Sequence, residues 1–275
     1  MRNLMIVARK EIQEGLRNRW VLATTLLLAA LALTLTFLGS APTGNVDVPS
    51  LEVVTVSLSS LTIFLVPLIA LLISHDAIVG EMERGTMLLL LSYPIGRWQV
   101  IGGKFIGHVA ILAFATLLGY GAAAAALFAT TAGIDDASWI AFASMVLSSV
   151  LLGSVFIALG YLVSALVQER GTAGGIAVGI WLLFVLLYDM ALLGLLVVDQ
   201  GRIVGGGALN ALLLANPTDV YRLLNLTSGD VSALSGMGSA VQQAALPAGA
   251  LIAALIAWTA VPLTGAAVVF ARREL

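Results

Sequence analysis

Side chains that could perform chemistry are few in this sequence, and their spacing fits no catalytic or metal-binding pattern. Cysteine is absent, which excludes disulfides, thiolate metal sites and a thiol nucleophile. The two histidines, His75 and His108, have no acidic cluster at metal-ligand spacing. The phosphate-binding pattern G-x-x-x-x-G-K-[ST] is absent too, since the nearest stretch, Gly102 to Phe105, lacks the first glycine and the hydroxyl after the lysine. We therefore predict no catalytic residue, no bound metal and no ATP hydrolysis by this chain.

The most informative spacing lies in the segment SHDAIVGEMERGTMLLLLSYPIGRWQ, from Ser74 to Gln99. It begins with a charged cluster formed by His75, Asp76, Glu81, Glu83 and Arg84. Gly85 then offers a break, and Met87 to Leu91 are all apolar before Pro94 and Gly96 stop the segment. A charged turn followed by a short apolar element predicts a surface helix that docks into a partner's groove, whereas the alternative is a solvated loop. Arg97 and Lys104 are predicted to return the chain to the lipid headgroups.

A shorter segment repeats part of this pattern. The string ERGT occurs at Glu83 to Thr86 and again from Glu169 through Arg170 to Thr172. Two short charged elements on one side of a membrane are what a mechanical linkage between an ATPase and the spans requires, although a four-residue repeat can also arise by chance.

These segments must be positioned by membrane helices, because 60% of the 275 residues are hydrophobic and only 10% are charged. Mean hydropathy is +1.05, far above that of soluble domains. A span needs about 20 apolar residues, so the length allows one helical bundle. We predict a single all-α transmembrane domain over residues 1–275, with spans at about 20–38, 53–73, 105–130, 139–167, 172–198 and 246–270. Residues 74–104 form the main connection on one side, and residues 199–245 form the longest loop on the other.

The placement of basic residues predicts the orientation. Eleven of the thirteen Lys and Arg residues fall in the N-terminal segment, the connections 74–104 and 168–172, and the C-terminal tail. By the positive-inside rule, both termini are predicted to be cytoplasmic.

The fifth apolar stretch is longer than a bilayer requires and contains Asp189. Two interpretations remain open at this point. In one, the span ends near Tyr188 and residues 191–198 fold back at the outer surface. In the other, the whole stretch is a single tilted helix.

Three further patterns concern the packing of helices. Residues 1–19 place Leu4, Met5, Ala8, Ile12 and Leu16 on one stripe, which predicts an interfacial helix or, alternatively, a basic anchor for the first span. Gly103 and Gly107 share four-residue spacing that allows close helix approach. Gly171, Gly175 and Gly179 repeat that spacing and predict a dimer interface.

In the long outer loop, Asn216 and Pro217 predict the start of a short helix. Val220 and Leu223 give this helix an apolar face. The helix either receives an extracytoplasmic partner or packs back onto the bundle.

Residues 75–105, HDAIVGEMERGTMLLLLSYPIGRWQVIGGKF, resemble the loop after span two in type-2 ABC permeases, whose six-span pattern follows nearly the whole chain. More narrowly, NPTDVYRLLNL at 216–226 resembles the permeases that support copper-site maturation of nitrous oxide reductase. The resemblance implies a homodimer with a type V exporter-like fold. It also implies a cytoplasmic ATPase partner of the NosF kind that binds ATP and Mg²⁺, and a periplasmic partner of the NosD kind.

The resemblance also implies roles for particular residues. Coupling to the ATPase falls on Asp76, Glu81, Glu83, Arg84 and Gly85, with Glu169 and Arg170 as a second contact. Copper ligands are lacking in the predicted spans, since there is no Cys and the methionines are scattered. We therefore predict mechanical transmission to the periplasmic partner or passage of a small cargo, with a permease for an unrelated cargo as the alternative. A secondary transporter using Asp189 and an intramembrane hydrolase using a Ser near a His are the rival classes.

Overall fold

The computed structural model describes residues 2–38, 51–130, 134–199, 205–226 and 246–273, whose regular secondary structure is helical. The long helices are α2 (Arg19–Leu38), α3 (Leu51–Ser74), α6 (Arg97–Thr130), α7 (Asp136–Leu166) and α12 (Ala248–Arg272). A further long helix consists of α8 (Arg170–Leu182), a π-helical turn (Leu183–Leu187) and α9 (Tyr188–Asp199). The short helices are α1 (Arg2–Leu16), α4 (Val79–Glu83), α5 (Thr86–Leu91), α10 (Gly206–Leu214) and α11 (Pro217–Leu226).

Within the ranges that the structure describes, five helical segments are long and apolar enough to cross a bilayer, and α2 qualifies as a sixth when it is taken together with α1, from which it is bent by 66°. The protein is therefore an all-helical, multi-pass membrane protein with five to six candidate spans. Helices cover all six of the predicted apolar stretches. The third begins at Arg97 rather than at residue 105, so its first turns extend the span beyond the apolar run.

The structure decides between the two interpretations of the fifth apolar stretch. The helix continues through Asp189 to Asp199, so the interpretation in which residues 191–198 fold back is wrong. Asp189 does not break the helix because Arg222 pairs with its carboxylate at 2.5 Å. The π-helical turn just before it accommodates one irregularity within an otherwise continuous span.

Helix α7 is the central element of the bundle, since it packs against α3, α6, α11 and α12 and is buried along most of its length. Buried hydroxyl groups are satisfied inside the bundle, as a bilayer requires. Thr62 donates to the carbonyl of Leu58 at 2.7 Å, and its hydroxyl lies 2.6 Å from that of Tyr120. Polar groups therefore join α3 and α6 within the apolar core.

Helix α1 packs along α6 at the two glycines of the predicted ridge. A Cβ atom on Gly103 would lie 2.7 Å from the carbonyl oxygen of Leu4, and one on Gly107 would lie 2.5 Å from Cβ of Glu11. The predicted close approach is confirmed, and its partner is α1. The predicted apolar stripe is only partly correct, because Ala8 is buried while Met5 is 63% exposed. The face of α1 that packs on α6 contains Val7, Ala8 and Glu11, so it is rotated toward Glu11 relative to the predicted stripe.

Both ends of the described chain lie at one end of the bundle. Arg97 donates to the carbonyl oxygens of Phe270, Ala271 and Arg273 at 2.7–3.0 Å. Arg273 in turn donates to the carbonyls of Ala165 and Val167. We call this end, which contains α1, α4, α5 and the end of α12, the basic end. The end that contains α10 and α11 is the opposite end, and the cytoplasmic orientation of the basic end stays a prediction.

Candidate coupling site

The connection between α3 and α6 forms two short helices separated by Gly85. Gly85 has a φ of 69°, a left-handed conformation that favours glycine, so the predicted break is confirmed. The start of α4 is tied to α7, because the backbone N–H groups of Ile78 and Val79 both donate to Oγ of Ser164 at 3.0 Å. This fixes α4 against the central helix while α5 projects from it.

Helix α5 turns its apolar residues in two directions. Met87 is buried, whereas Leu88 and Leu89 are 57% and 68% exposed. Tyr93, just after the helix, is also exposed. A short helix is thus present where the sequence predicted one, and much of its apolar surface has no partner within the described chain.

The two charged connections predicted from sequence meet in space. The guanidinium of Arg170 lies 2.9 Å from a carboxylate oxygen of Asp76. The backbone N–H of Arg170 donates to the carboxylate of Glu83 at 2.7 Å. Glu169, Arg84 and Gly85 are exposed beside these contacts. The two ERGT strings therefore belong to one surface at the basic end.

Behind this surface lies a buried charged cluster that the sequence reasoning did not find. The ammonium of Lys104 lies 2.7 Å from Glu11 and 2.8 Å from Glu81, and its side chain is only 3% exposed. Lys104 was predicted at the lipid headgroups, which is wrong because it pairs inward with these two carboxylates. The available signal was an acidic residue, Glu11, within an apolar helix face that packs on Gly103 and Gly107.

The cluster extends in both directions. Lys10, partly exposed, lies 3.4 Å from Glu81 and 3.1 Å from Glu14. On the inner side, His108 lies 3.5 Å from Glu11 and 2.9 Å from the hydroxyl of Tyr161. Within the described ranges, no group of three or more His, Cys, Asp or Glu side chains is placed to hold a metal ion. The absence of a bound metal stays a prediction from the sequence.

Electrostatics keeps the α1 members of the cluster charged at neutral pH. Burial opposes ionisation of Glu11, but the ammonium of Lys104, together with smaller contributions from His108 and Lys10, outweighs burial and holds the pKa of Glu11 below its usual value. Burial likewise opposes the charge on Lys10, and the carboxylates of Glu11 and Glu81 raise its pKa above the usual value. The cluster is an ionic joint between α1, α4 and α6.

A cavity of about 560 Å³ opens beside this joint. Its lining includes Glu11, Asp76, Glu81, Lys104 and Arg170, together with apolar side chains of α2, α3 and α6. The second carboxylate oxygen of Glu81, Oε2, is buried and accepts no hydrogen bond from the described residues. Four of the predicted coupling residues, Asp76, Glu81, Arg84 and Arg170, therefore line a polar space that reaches the joint.

At the opposite end, helix α11 packs back onto the bundle. Asn216 caps α11 by accepting from the N–H of Thr218 at 3.1 Å, which confirms the predicted helix start at Pro217. However, Asn216, Pro217, Val220 and Leu223 are buried against the bundle. The apolar face of α11 packs on α3, α7 and α12, so the alternative in which this helix packs back onto the bundle describes the structure. Contact of these residues with a periplasmic partner stays a prediction.

The predicted dimer glycines lie on an open face. A Cβ atom on Gly171, Gly175 or Gly179 would meet no other atom within 4 Å. The span that contains them buries only 11% of its most apolar window inside the chain. This face is therefore available to lipid or to a second protomer, and the dimer interface stays a prediction.

Comparison with known proteins identifies the family. The model for the family described as ABC-2 family transporter protein matches residues 5–275. The chain is 47% identical over 270 residues to the probable ABC transporter permease protein NosY of Pseudomonas aeruginosa, covering 98% of both chains. It is 46% identical over 280 residues to the protein of the same name from Stutzerimonas stutzeri, covering 99% of both. The chain therefore belongs to the ABC-2 family of transporter permeases and is a non-catalytic membrane subunit of an ABC transporter.

Proposed function

We propose that the surface formed by the two ERGT strings receives a separate cytoplasmic ATPase and passes its motion to the spans. The observation that carries this proposal is the pairing of Arg170 with both Asp76 and Glu83, at 2.9 and 2.7 Å. These contacts join residues about 90 positions apart into one surface. Its proposed residues are Asp76, Glu83, Arg84, Gly85, Glu169 and Arg170, and the buried Glu81 lies directly behind them.

Exposed apolar side chains give this surface its docking element. Leu88 and Leu89 of α5 protrude at the basic end, with Tyr93 beside them. A short amphipathic helix that enters a groove of a partner buries such side chains. The charged residues around α5 then set its orientation, and the ATPase binds ATP and Mg²⁺ itself.

The ionic joint supplies a route from this surface into the bundle. Lys104 on α6 contacts Glu81 on α4 and Glu11 on α1. Because these charges are largely buried, separating them is costly, so the three helices move together. Displacement of α4 by the ATPase is thus carried to α6 directly and to α2 through α1.

The likeness to NosY supports a more specific assignment. We infer that the chain works in copper-site assembly of nitrous oxide reductase, in the bacterial inner membrane with both termini cytoplasmic. Its partners are a NosF-like ATPase, a NosD-like periplasmic protein and a second copy of itself. The output is transport of a small cargo or mechanical action on the periplasmic protein.

Membership of the ABC-2 family sets aside two rival classes from the sequence. A secondary transporter and an intramembrane hydrolase do not fit a permease subunit. The groups that suggested them also have other partners, since Asp189 pairs with Arg222 and His108 contacts Tyr161.

The test is purification of the tagged chain from its native host in mild detergent, followed by measurement of the ATPase subunit that accompanies it. We expect Glu83→Ala, Arg84→Ala and Arg170→Ala to reduce the amount of bound ATPase several-fold relative to wild type. Asp136→Ala, at an exposed position at the opposite end, is the matched control and should retain it. Equal recovery of ATPase with all variants would contradict the proposed surface.

A further inference from the structure

A second ionic group lies at the opposite end of the bundle. Arg222 of α11 contacts Asp189 of α9 and Asp219 of its own helix, each at 2.5 Å. The side chains of Arg222 and Asp189 are 17% and 19% exposed, and that of Asp219 is 1% exposed. Two carboxylates therefore share one guanidinium in a largely buried position.

The two carboxylates also leave one oxygen without a donor. Oδ1 of Asp189 is buried and has no hydrogen-bond partner among the described residues. Asp219 uses its own oxygens to accept from Arg222 and from Asn216. Because a buried acceptor without a donor is unfavourable, and because the negative charges outnumber the positive one, a single proton would relieve both costs.

These residues hold α11 to the fifth span. At the π-helical turn, the carbonyl of Phe184 accepts hydrogen bonds from Asn216 at 3.0 Å and from the hydroxyl of Thr218 at 3.1 Å. The ionic group follows immediately along both helices. The start of α11 is therefore fixed to the fifth span by two neutral hydrogen bonds and by the ionic group.

We propose that Asp219 binds one proton and donates it in a hydrogen bond to Asp189, and that this proton, with Arg222, latches α11 onto the fifth span. The proton on Asp219 lies between the two carboxyl groups and gives Oδ1 of Asp189 the hydrogen-bond donor that it lacks. When the proton leaves, two carboxylates face one guanidinium, and repulsion between them favours release of α11. The opposite end would thus open more readily as the pH rises.

The surroundings of Asp219 support this assignment. Among the described residues, the charged groups facing it are Arg222 and Asp189, and the phenol of Tyr188 lies nearby. The sides of α3 and α7 near α11 contribute uncharged hydroxyls, of Ser59, Ser148 and Ser149. Helix α12 contributes Trp258, whose indole donates to the carbonyl of Leu214 in α10.

The direction of the pH effect follows from linkage. Burial raises the pKa of Asp219 to about 7. The negative charge of Asp189 also raises this pKa, whereas the positive charge of Arg222 lowers it. In released α11, the carboxyl would have its ordinary pKa near 4. The docked state therefore binds the proton more tightly than the released state. The stabilisation that this proton adds to docking is fully present below about pH 4 and is lost as the pH rises through about 7.

The test uses the full chain in lipid nanodiscs with a single introduced cysteine, since the natural sequence has none. Leu223→Cys places a thiol on the buried face of α11, and Ala137→Cys, exposed at the same end, corrects for the pH dependence of the reagent. The measurement is the rate of labelling by a hydrophilic maleimide between pH 5.5 and 8.0. We expect the corrected rate for position 223 to rise by roughly tenfold or more over this range.

Variants distinguish the latch from general loosening. Asp219→Asn mimics the protonated state, so labelling should stay slow at every pH, and Asp189→Asn should give the same result by a separate change. Asp136→Asn, at an exposed site of the same end, should keep the wild-type profile. A flat wild-type profile, or a wild-type profile in both Asp219→Asn and Asp189→Asn, would overturn the proposal. This test requires no ATPase, so its outcome is independent of the proposed coupling surface.

Discussion

At the scale of single residues, Lys104 of α6 is the shared cation of the ionic joint between α1, α4 and α6. It is nearly inaccessible to solvent, and it faces two carboxylates from different helices. Its removal would leave Glu11 and Glu81 buried near each other, with Lys10 at the longer distance of 3.4 Å from each as the nearest ammonium group among the described residues. A buried ionic group broken on one side is strongly destabilising.

We therefore expect Lys104→Met to lower the free energy of unfolding by about 3–5 kcal/mol. The matched control is Lys10→Met, because Lys10 contacts the same Glu81 but its side chain is 43% exposed. That change should cost about 1 kcal/mol or less, since water screens exposed pairs. Denaturant unfolding in mild detergent measures both, and equal losses would show that the buried joint has no special role.

At the scale of elements, the contact between α1 and α6 depends on the absence of side chains at two turns of α6. The backbone of α1 approaches Gly103 so closely that even a methyl group would meet the Leu4 carbonyl oxygen and Cβ of Val7, each at 2.7 Å. This approach is what brings Glu11 within reach of Lys104. Helix packing and the ionic joint are therefore coupled.

Gly103→Ala should separate α1 from α6 and weaken the joint, whereas Gly102→Ala should be tolerated, because its Cβ would meet only a Leu4 methyl group at 3.4 Å. We expect a loss of about 1–3 kcal/mol for position 103, as for other overpacked sites. Proteolytic susceptibility of residues 2–16 in detergent gives the readout. Comparable digestion of the two variants would argue against close packing at Gly103.

Helix α11 and the fifth span form the corresponding element at the opposite end. The π-helical turn leaves the carbonyl of Phe184 able to accept side-chain donors from Asn216 and Thr218. Such turns are often found at functional sites, and this one is positioned directly beside the proposed proton site. The irregularity in the fifth span thus has a structural use in anchoring α11.

At the scale of the whole molecule, the distribution of buried surface is uneven. Helix α7 is enclosed, whereas α8 and α9 expose a long apolar face that includes the open glycines. Membrane helices with such small-residue ridges associate closely. A two-fold dimer in which α8 of one protomer meets α8 of its partner is the arrangement we expect.

Gly175→Cys should form a disulfide-linked dimer on mild oxidation in native membranes, because a residue near a two-fold axis meets its own copy. The control is Val268→Cys, which is 52% exposed on α12 at a similar distance from the basic end. Nonreducing gel electrophoresis separates monomer from dimer. Efficient crosslinking at 268 with none at 175 would move the interface to α12.

The amino-acid sequence by itself determined the features that depend on local composition. Apolar runs of sufficient length predicted the helices of all six stretches, and the placement of Lys and Arg predicted the common end for both termini. Gly85 and the pair Asn216–Pro217 predicted a chain break and a helix start, because backbone conformation and capping depend on residues within one turn.

Only the tertiary structure decided which side chains face each other. Lys104 and Glu11 are separated by 93 positions, and no local pattern around either residue indicates that the two are paired. The continuation of the fifth span through Asp189, and the burial of α11, likewise depend on Arg222 and on packing surfaces supplied by distant helices. Local patterns therefore specified where helices begin and end, while the pairing of buried charges required the long-range contacts that the folded bundle creates.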